Sequence, residues 1–161
     1  YPRITFPIMP TGAYRLDIEC ERLPPKGPND WIGPLILYLP TPGASHCALT
    51  VSCATTAGYN GIVVTPGTAG KRLGGFPYRP KSGRYKLSVW VTPVSGGAVK
   101  IEAKLNDRPI TSWSGPIAQL KPPKPLGSSY ELRDTRYIGV GVASGGMKIY
   151  KVQFQGSRTR K

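Results

Sequence analysis

Three acidic side chains at alternate positions of one predicted strand are the part of the sequence closest to a catalytic arrangement. Asp17, Glu19 and Glu21 alternate with apolar residues, so all three are expected on one face. Cleavage of a glycosidic bond commonly uses two carboxylates, about 5 Å or about 6.5–9.5 Å apart. The competing interpretation is a solvated face whose acidic groups pair with lysines of a neighbouring strand. We favour the second interpretation and expect no catalytic residues, with the enzymatic one kept as an alternative.

Nucleophilic and metal chemistry have less support. His46 is the single histidine, and it directly precedes Cys47. Adjacent residues of a strand point to opposite faces, so these two are not expected to form a catalytic pair. The sequence contains no Cys-x-x-Cys motif and no cluster of Cys and His. We therefore expect no zinc site of the ordinary type, and we assign no metal ligand and no cofactor; a calcium site is left open by the sequence.

The three cysteines leave the disulfide pattern open. Cys47 and Cys53 are six residues apart on one predicted strand, which is about 20 Å in extended backbone. A disulfide needs Cα atoms within about 7 Å, so these two are not expected to pair. Cys20 can pair with either of them across a sheet, or all three are buried thiols.

Aromatic and cationic side chains outside the predicted core suggest a binding surface instead. Trp90 shares a strand face with Ser88 and two cations, and Tyr78 lies in a long irregular segment beside an arginine. An aromatic ring stacks on the C–H groups of a sugar while polar neighbours bind its hydroxyls. Trp31 and Trp113 are predicted to belong to the core. The predicted ligand contacts are Trp90, Tyr78, Arg79, Arg84 and Lys86.

The charge is strongly positive. The chain has 22 Lys and Arg against 8 Asp and Glu, a formal net charge of +14, which attracts polyanions. Lysines, which contact phosphates, are more numerous than features that could recognise base edges. Sequence-specific binding of nucleic acid is therefore not expected. No apolar run approaches the roughly 18 residues of a membrane helix, so no transmembrane segment is expected. The chain begins with Tyr1 rather than Met, which indicates a processed protein or a piece of a longer one.

Apolar residues recur at spacing two between clusters of the 20 glycines and 18 prolines. This pattern predicts an all-β protein with about ten strands and almost no helix, arranged as an antiparallel β-sandwich. The predicted domain covers residues 1–156, and 157–161 form a basic C-terminal tail. The predicted strands are 2–8, 13–22, 31–39, 47–53, 61–64, 84–94, 98–105, 108–113, 136–143 and 147–154.

Turn residues connect several of these strands. Asn106 and Asp107 form a two-residue loop of the primed type, because both tolerate positive φ. Gly96-Gly97 links the preceding pair of strands. A turn at 144–146 is predicted to close a final hairpin of 136–143 with 147–154. The first strand, 2–8, is interrupted by proline and is predicted to lie at a sheet edge.

The order of these strand motifs resembles the concanavalin A-like jelly roll, in particular the domain of unknown function 1080, also called the 3-keto-disaccharide hydrolase domain. Asn106-Asp107-Arg108-Pro109 stands where that group has its DG.P turn, and Trp113-Ser114-Gly115 where it has W.G. The resemblance implies a jelly roll from about Gly12 to Gly156, and hydrolysis of glycosides in the enzymes of the group. Its motifs are GAYRLDIECER, DWIGPLILYLP, GRYKLSVWV, KIEAKLNDRPITSWSG and RYIGVGVASGGMKIYKVQFQG.

The sequence is compatible with three functions. We predict a non-catalytic, lectin-like module, extracellular or on the cell surface, that binds carbohydrate or another, anionic polymer. The first alternative is a glycan-cleaving enzyme of the 3-keto-disaccharide hydrolase type that uses Asp17, Glu19 or Glu21. The second is a structural subunit of an extracellular filament or coat, a homo-oligomer assembled by strand addition at the edge strand 2–8.

Overall fold

Two antiparallel sheets stack face to face in the computed structural model. It describes residues 3–23, 33–43, 45–51, 60–63, 72–78, 83–120, 132, 134–142 and 146–159. The six-stranded sheet has the order β1-β10-β3-β4-β5-β6, and the five-stranded sheet has the order β11-β2-β7-β8-β9. The predicted antiparallel β-sandwich jelly roll is thus confirmed. The strands are β1 Arg3–Thr5, β2 Met9–Arg22, β3 Leu35–Thr41, β4 Ser45–Val51, β5 Gly61–Val63, β6 Arg72–Leu73, β7 Arg84–Val94, β8 Ala98–Leu105, β9 Arg108–Pro116, β10 Gly139–Val142 and β11 Met147–Thr159.

Helical structure within the described residues is limited to two short 3-10 helices, Ser95–Gly97 and Ile117–Leu120. In that same part of the chain, no helix has the length and apolar character needed to cross a bilayer.

Alternation along β2 sorts its side chains between two environments. Leu16 and Ile18 are fully buried, whereas Asp17 and Glu19 between them keep partial exposure. The neighbouring strand β7 is in register, with Leu16 opposite Val89. The inner faces of β2, β7 and β8 therefore form one continuous apolar layer, as their period of two predicts.

That apolar layer packs against the inner face of the six-stranded sheet. Leu37, Leu39 and Leu49 belong to the same buried cluster as Leu87 and Ile101 of the five-stranded sheet. Burial of each such side chain contributes about 1.5–3 kcal/mol to folding. The two sheets thus share one core, which fixes the opposite face of the five-stranded sheet as the one turned to solvent.

Strand β3 is buried on both faces, as its continuous apolar sequence predicts. Its alternate residues Ile36 and Tyr38 form a second buried cluster with Ala48 and Val63, and Leu132 packs against this cluster. Glycine in β10 makes room for the tyrosine ring, because a Cβ on Gly139 would lie 3.2 Å from Tyr38 Cδ2 and 2.8 Å from Leu132 Cδ1. This part of the six-stranded sheet is therefore covered on its outer side.

The two predicted turns around β8 are confirmed. Asn106 and Asp107 have φ values of 50° and 64°, the left-handed conformation that a primed two-residue loop requires. The Asn106 backbone N–H donates to the Lys86 carbonyl over 2.8 Å, and its Oδ1 accepts from the Lys86 N–H over 2.9 Å. At the other end, Gly96 and Gly97 have φ values of 75° and 72°.

The predicted closing hairpin is wrong. Strand β10 lies in the six-stranded sheet between β1 and β3, whereas β11 pairs with β2 in the five-stranded sheet. All four residues of β10 are buried, which suits a strand covered on both faces, while β11 alternates between partly and fully exposed residues. Ser144 and Gly145 of the predicted turn at 144–146 lie outside the described residues.

Strand ends also differ from the predicted bounds. The predicted edge strand 2–8 is the shorter β1, which is indeed an edge of the six-stranded sheet, and β2 begins already at Met9. Strand β11 continues to Thr159, which lies opposite Met9, so 157–159 of the predicted tail belong to a strand.

Cys20 and Cys47 are buried free thiols, and Cys53 lies outside the described residues. Burial raises the pKa of Cys20 to about 11 and that of Cys47 to about 12. Arg22 opposes part of the shift at Cys20. Both thiols are therefore protonated at neutral pH and poorly nucleophilic.

Replacing Asp107 by glycine is expected to raise the free energy of unfolding by about 0.5–1 kcal/mol, because glycine adopts positive φ without steric cost. Urea unfolding of Asp107→Gly and of the matched variant Asp107→Val measures the effect. Valine is expected to lower the stability. Equal stability of both variants would contradict the assigned turn.

The buried thiols are expected to resist modification. In a Cys53→Ser variant at a pH of about 8, an aromatic disulfide reagent should label neither Cys20 nor Cys47 in the folded protein and both in urea. Folding raises the pKa of both thiols above the ordinary value of 9.0. The protonated thiols therefore contribute to the free energy of unfolding below a pH of about 9, and this contribution is lost as the pH rises from about 9 towards 12. Rapid labelling without urea would show that the thiols are accessible.

Candidate functional site

The solvent-facing side of the five-stranded sheet, here called the outer face, carries the polar residues of β2, β7, β8 and β11. The register places Arg15 opposite Trp90 and Asp17 opposite Ser88. On the other side of β2, Gln153 of β11 lies opposite Asp17. Because the inner face is fully used by the core, this lattice of polar and aromatic side chains is free to meet a ligand.

Trp90 is the aromatic centre of the outer face. Its indole is half-buried, with the Arg15 guanidinium carbon 5.0 Å and the Lys104 Nζ 5.9 Å from the ring centroid. Each such cation–π contact is worth about 0.5–1 kcal/mol at an exposed site. A cation from each of the two neighbouring strands, β2 and β8, thus lies close to the ring.

Asp17 anchors the polar lattice beside the tryptophan. Its Oδ2 lies 2.8 Å from the Arg15 guanidinium, and its Oδ1 accepts hydrogen bonds from Arg15 and from the hydroxyl of Ser88. Ser88 is only 5% exposed, so its hydroxyl depends on this carboxylate for a partner. Asp17 therefore also orients Arg15, whose guanidinium lies close to the Trp90 ring.

A shallow cavity of about 140 Å³ opens next to these residues. Every described residue that lines it is polar, with three cations, two carboxylates and two amides. Such a set offers both donors and acceptors within one small space. The lining residues of this outer-face cavity are Arg15, Asp17, Glu19, Lys86, Lys151, Gln153 and Gln155.

A second aromatic group lies towards the other end of the outer face. The guanidinium carbon of Arg84 is 3.7 Å and the Nζ of Lys148 5.0 Å from the centroid of the Tyr150 ring. The Tyr150 hydroxyl donates to a carboxylate oxygen of Glu21. Trp90 and Arg84 are six residues apart on β7, about 20 Å, so the outer face extends well beyond one small ligand.

Three of the five predicted contacts share this surface. Trp90, Lys86 and Arg84 alternate along β7 and all belong to the outer face. Tyr78 instead packs against the core, with the Arg108 guanidinium carbon 5.3 Å from its ring centroid. Arg79 lies outside the described residues, as does Trp31, whereas Trp113 packs against the core as predicted.

Several residues of the surface were missed by the sequence analysis. Gln153, Gln155 and Tyr150 all belong to β11, which was predicted to pair with the wrong strand. Their outward position is readable from the alternation of β11 itself, but their proximity to β2 follows only from the sheet order. Lys104 is an exposed residue of the alternating strand β8, but its approach to Trp90 is not readable from that alternation.

Two of the three acidic residues lie opposite basic residues of the neighbouring strands, although the predicted ion pairs with lysines are not found among the described residues, where Asp17 pairs with Arg15 of its own strand. Glu19 lies opposite Lys86 on one side and Lys151 on the other, and Glu21 lies opposite Arg84 and Lys148. Cys47 belongs to the core, so its neighbour His46 on β4 faces the other side of the sheet. Among the described residues, no group of three or more His, Cys, Asp and Glu could hold a metal ion.

Comparisons with known proteins give fold-level likeness alone. No protein-family model matches the sequence, so the resemblance to the domain of unknown function 1080 is not confirmed, and no curated protein matches. Sheep galectin-11, solved in complex with glycerol, is similar with a TM-score of 0.43 and 10% identity over 96% of both chains. CG-16, a homodimeric agglutinin from chicken liver, is similar with a TM-score of 0.42 and 11% identity over 96% of this chain and 98% of its own.

Replacing Asp17 by alanine is expected to lower the free energy of unfolding by about 1–3 kcal/mol, because the buried hydroxyl of Ser88 loses its acceptor. Glu102→Ala is the matched control, since Glu102 forms an exposed ion pair with Lys100 at 2.9 Å. Its loss should cost no more than about 1 kcal/mol. Urea unfolding that gave equal losses for both variants would contradict the anchoring role of Asp17.

Proposed function

We propose that the chain is a non-catalytic, lectin-like module, extracellular or on a cell surface, that binds carbohydrate through the outer face of the five-stranded sheet. The observation that carries the proposal is the position of Trp90 beside an entirely polar cavity. Arg15 links the two, because it lines the cavity and also lies against the indole.

An aromatic ring beside a polar cavity matches the two kinds of surface that a sugar ring presents. The apolar C–H face of a pyranose stacks on an aromatic ring, while its hydroxyls need donors and acceptors at the edges. Trp90 supplies the ring, and Gln153, Gln155 and Glu19 supply amide and carboxylate groups. The small cavity suits a single sugar unit, and the length of β7 leaves room for further units towards Arg84.

Charge favours anionic polymers among the carbohydrates. Within the described residues, Lys86, Lys104 and Lys151 form no ion pair, although all three belong to the outer face. Together with the net charge of +14, these ammonium groups attract polyanions at long range. Such attraction weakens with added salt, whereas stacking on Trp90 does not.

The same geometry speaks against the glycan-cleaving alternative. Asp17 is engaged by Arg15 and Ser88, and Glu21 accepts a hydrogen bond from Tyr150. The outer-face cavity has a volume of only about 140 Å³ and is not closed off from solvent, whereas catalytic acids generally work in sites that exclude water. The acidic residues therefore serve better as sugar-binding acceptors than as a catalytic pair.

The filament alternative is less well supported. Strand β11 is an edge of the five-stranded sheet and carries Lys148 and Lys151, and lysines on edge strands oppose pairing between chains. At the edge of the other sheet, β1 has only three residues to offer an added strand. We therefore propose a binding module rather than a subunit that polymerises by strand addition.

Substitution of Trp90 tests the proposal most sharply. On a glycan array at about 0.05 M and about 0.5 M salt, Trp90→Ala should reduce the signal of the best neutral glycan by about tenfold at both salt concentrations. Lys86→Gln should reduce binding of anionic glycans mainly at the lower one. Phe76→Ala, which removes an exposed aromatic ring outside the outer face, should change neither.

Two results would overturn the proposal. One is a folded parent protein that binds no glycan on the array. The other is glycan binding that survives Trp90→Ala, with or without a loss on Phe76→Ala, which would locate the site elsewhere.

A further inference from the structure

A larger cavity of about 430 Å³ opens at one end of the sandwich, between the first residues of β2 and the turn that joins β3 to β4. Residues of the 134–136 segment and the end of β11 complete its wall. Its volume falls in the range of small-molecule sites. It shares none of its described lining residues with the outer-face cavity, so the proposed glycan site does not account for it.

The wall of this end cavity is apolar on one part and rich in hydroxyls on another. Met9, Pro10, Pro40 and Pro42 contribute apolar surface. The buried ring of Tyr14 lies beneath them and is fixed by a hydrogen bond of 2.9 Å from its hydroxyl to the Pro40 carbonyl. A ligand body with a flat or apolar shape fits such a surface.

Thr41 provides an unsatisfied polar group in the same wall. It is 6% exposed, and its buried Oγ1 has no hydrogen-bond partner among the residues that the structure describes. A buried hydroxyl without a partner costs about 1–3 kcal/mol, so a native protein retains one at a cost to its own stability. Because Oγ1 itself is closed off from the cavity, the Thr41 side chain would have to rotate about χ1 to meet a polar ligand atom there, which would then supply the missing partner.

Arg136 supplies a positively charged group held in a fixed position. Its Nε donates to Oδ1 of Asp134 over 2.9 Å, and Nη2 donates to Oδ2 over 2.7 Å. Hydrogen bonding with Asp134 raises the pKa of Arg136 above its ordinary value, so the side chain stays charged. A guanidinium has more N–H donors than Asp134 uses, and within the described part of the chain no other acceptor takes the remaining ones.

We propose that the end cavity binds a small organic carboxylate with an apolar or ring-shaped body. The carboxylate would accept hydrogen bonds from Arg136 and from the Thr41 hydroxyl, and the body would lie on the prolines and Tyr14. No aspartate or glutamate is among the described residues that line the cavity. A planar carboxylate also matches the geometry of a guanidinium better than a single acceptor does.

Isothermal titration with three probes tests the chemistry. Phenylacetate carries both the ring and the charge, phenylacetamide carries the ring without the charge, and acetate carries the charge without the ring. Phenylacetate should bind at least about tenfold more tightly than either of the others, because charge-assisted hydrogen bonds add to the apolar contact.

Variants locate the binding. Arg136→Gln should weaken phenylacetate binding about tenfold or more, whereas Arg108→Gln, at an arginine outside the cavity, should not change it. Thr41→Val should raise the melting temperature of the free protein, because an unpaired buried hydroxyl is removed, and weaken binding at the same time. Trp90→Ala should leave phenylacetate binding intact, so this test is independent of the glycan site.

The proposal is wrong if phenylacetamide binds as tightly as phenylacetate, or if Arg136→Gln binds phenylacetate as the parent protein does. It is also wrong if no phenylacetate binding is detected up to about 50 mM, a concentration at which even a very weak site is partly filled.

Discussion

Burial of alternate side chains of β2, β7 and β8 against the six-stranded sheet is the constraint on which the remaining structure depends. Leu16, Leu87 and Ile101 are fully buried in the shared core, which leaves the residues between them no other face than the outer one. A slip of one residue in any of these strands would exchange its two faces and place charged groups in the core. The position of Trp90 and of the acidic and basic side chains around it is therefore a consequence of core packing.

The outer sides of the two sheets differ in the surface that they offer to a ligand. Around Tyr38, the six-stranded sheet is covered on its outer side as well as on its inner one, whereas the outer face of the five-stranded sheet is polar. On that face, Asp17 holds Arg15 by an ion pair, and Arg15 and Lys104 lie close to the indole of Trp90. The end cavity follows from a different feature, the gap between the sheets where the end of β3 and the turn after it meet the start of β2. The outer face and the end cavity are thus formed by separate parts of the same fold.

Local sequence patterns were sufficient for much of this arrangement. The alternation in β2 and β7 predicted the outward set that includes Trp90, and Asn106-Asp107 predicted its turn, because both signals depend only on neighbours in sequence. The partner of β11 was not predictable in this way. An alternating strand looks the same whether it pairs with β10 or with β2, so the contribution of Tyr150 and of the glutamines was missed. Tyr78 shows the converse difficulty, since a loop sequence does not reveal that the ring packs against the core.

A titration followed by NMR tests the central claim most directly, using a neutral oligosaccharide that binds on the glycan array and a salt concentration of about 0.5 M to suppress charge attraction. The account predicts that the indole N–H signal of Trp90 shifts together with backbone amides of β2, β7 and β11. The indole signal of Trp113, which packs against the core, should stay in place. Shifts confined to β3, β4 and β5, with the Trp90 signal unchanged, would contradict it.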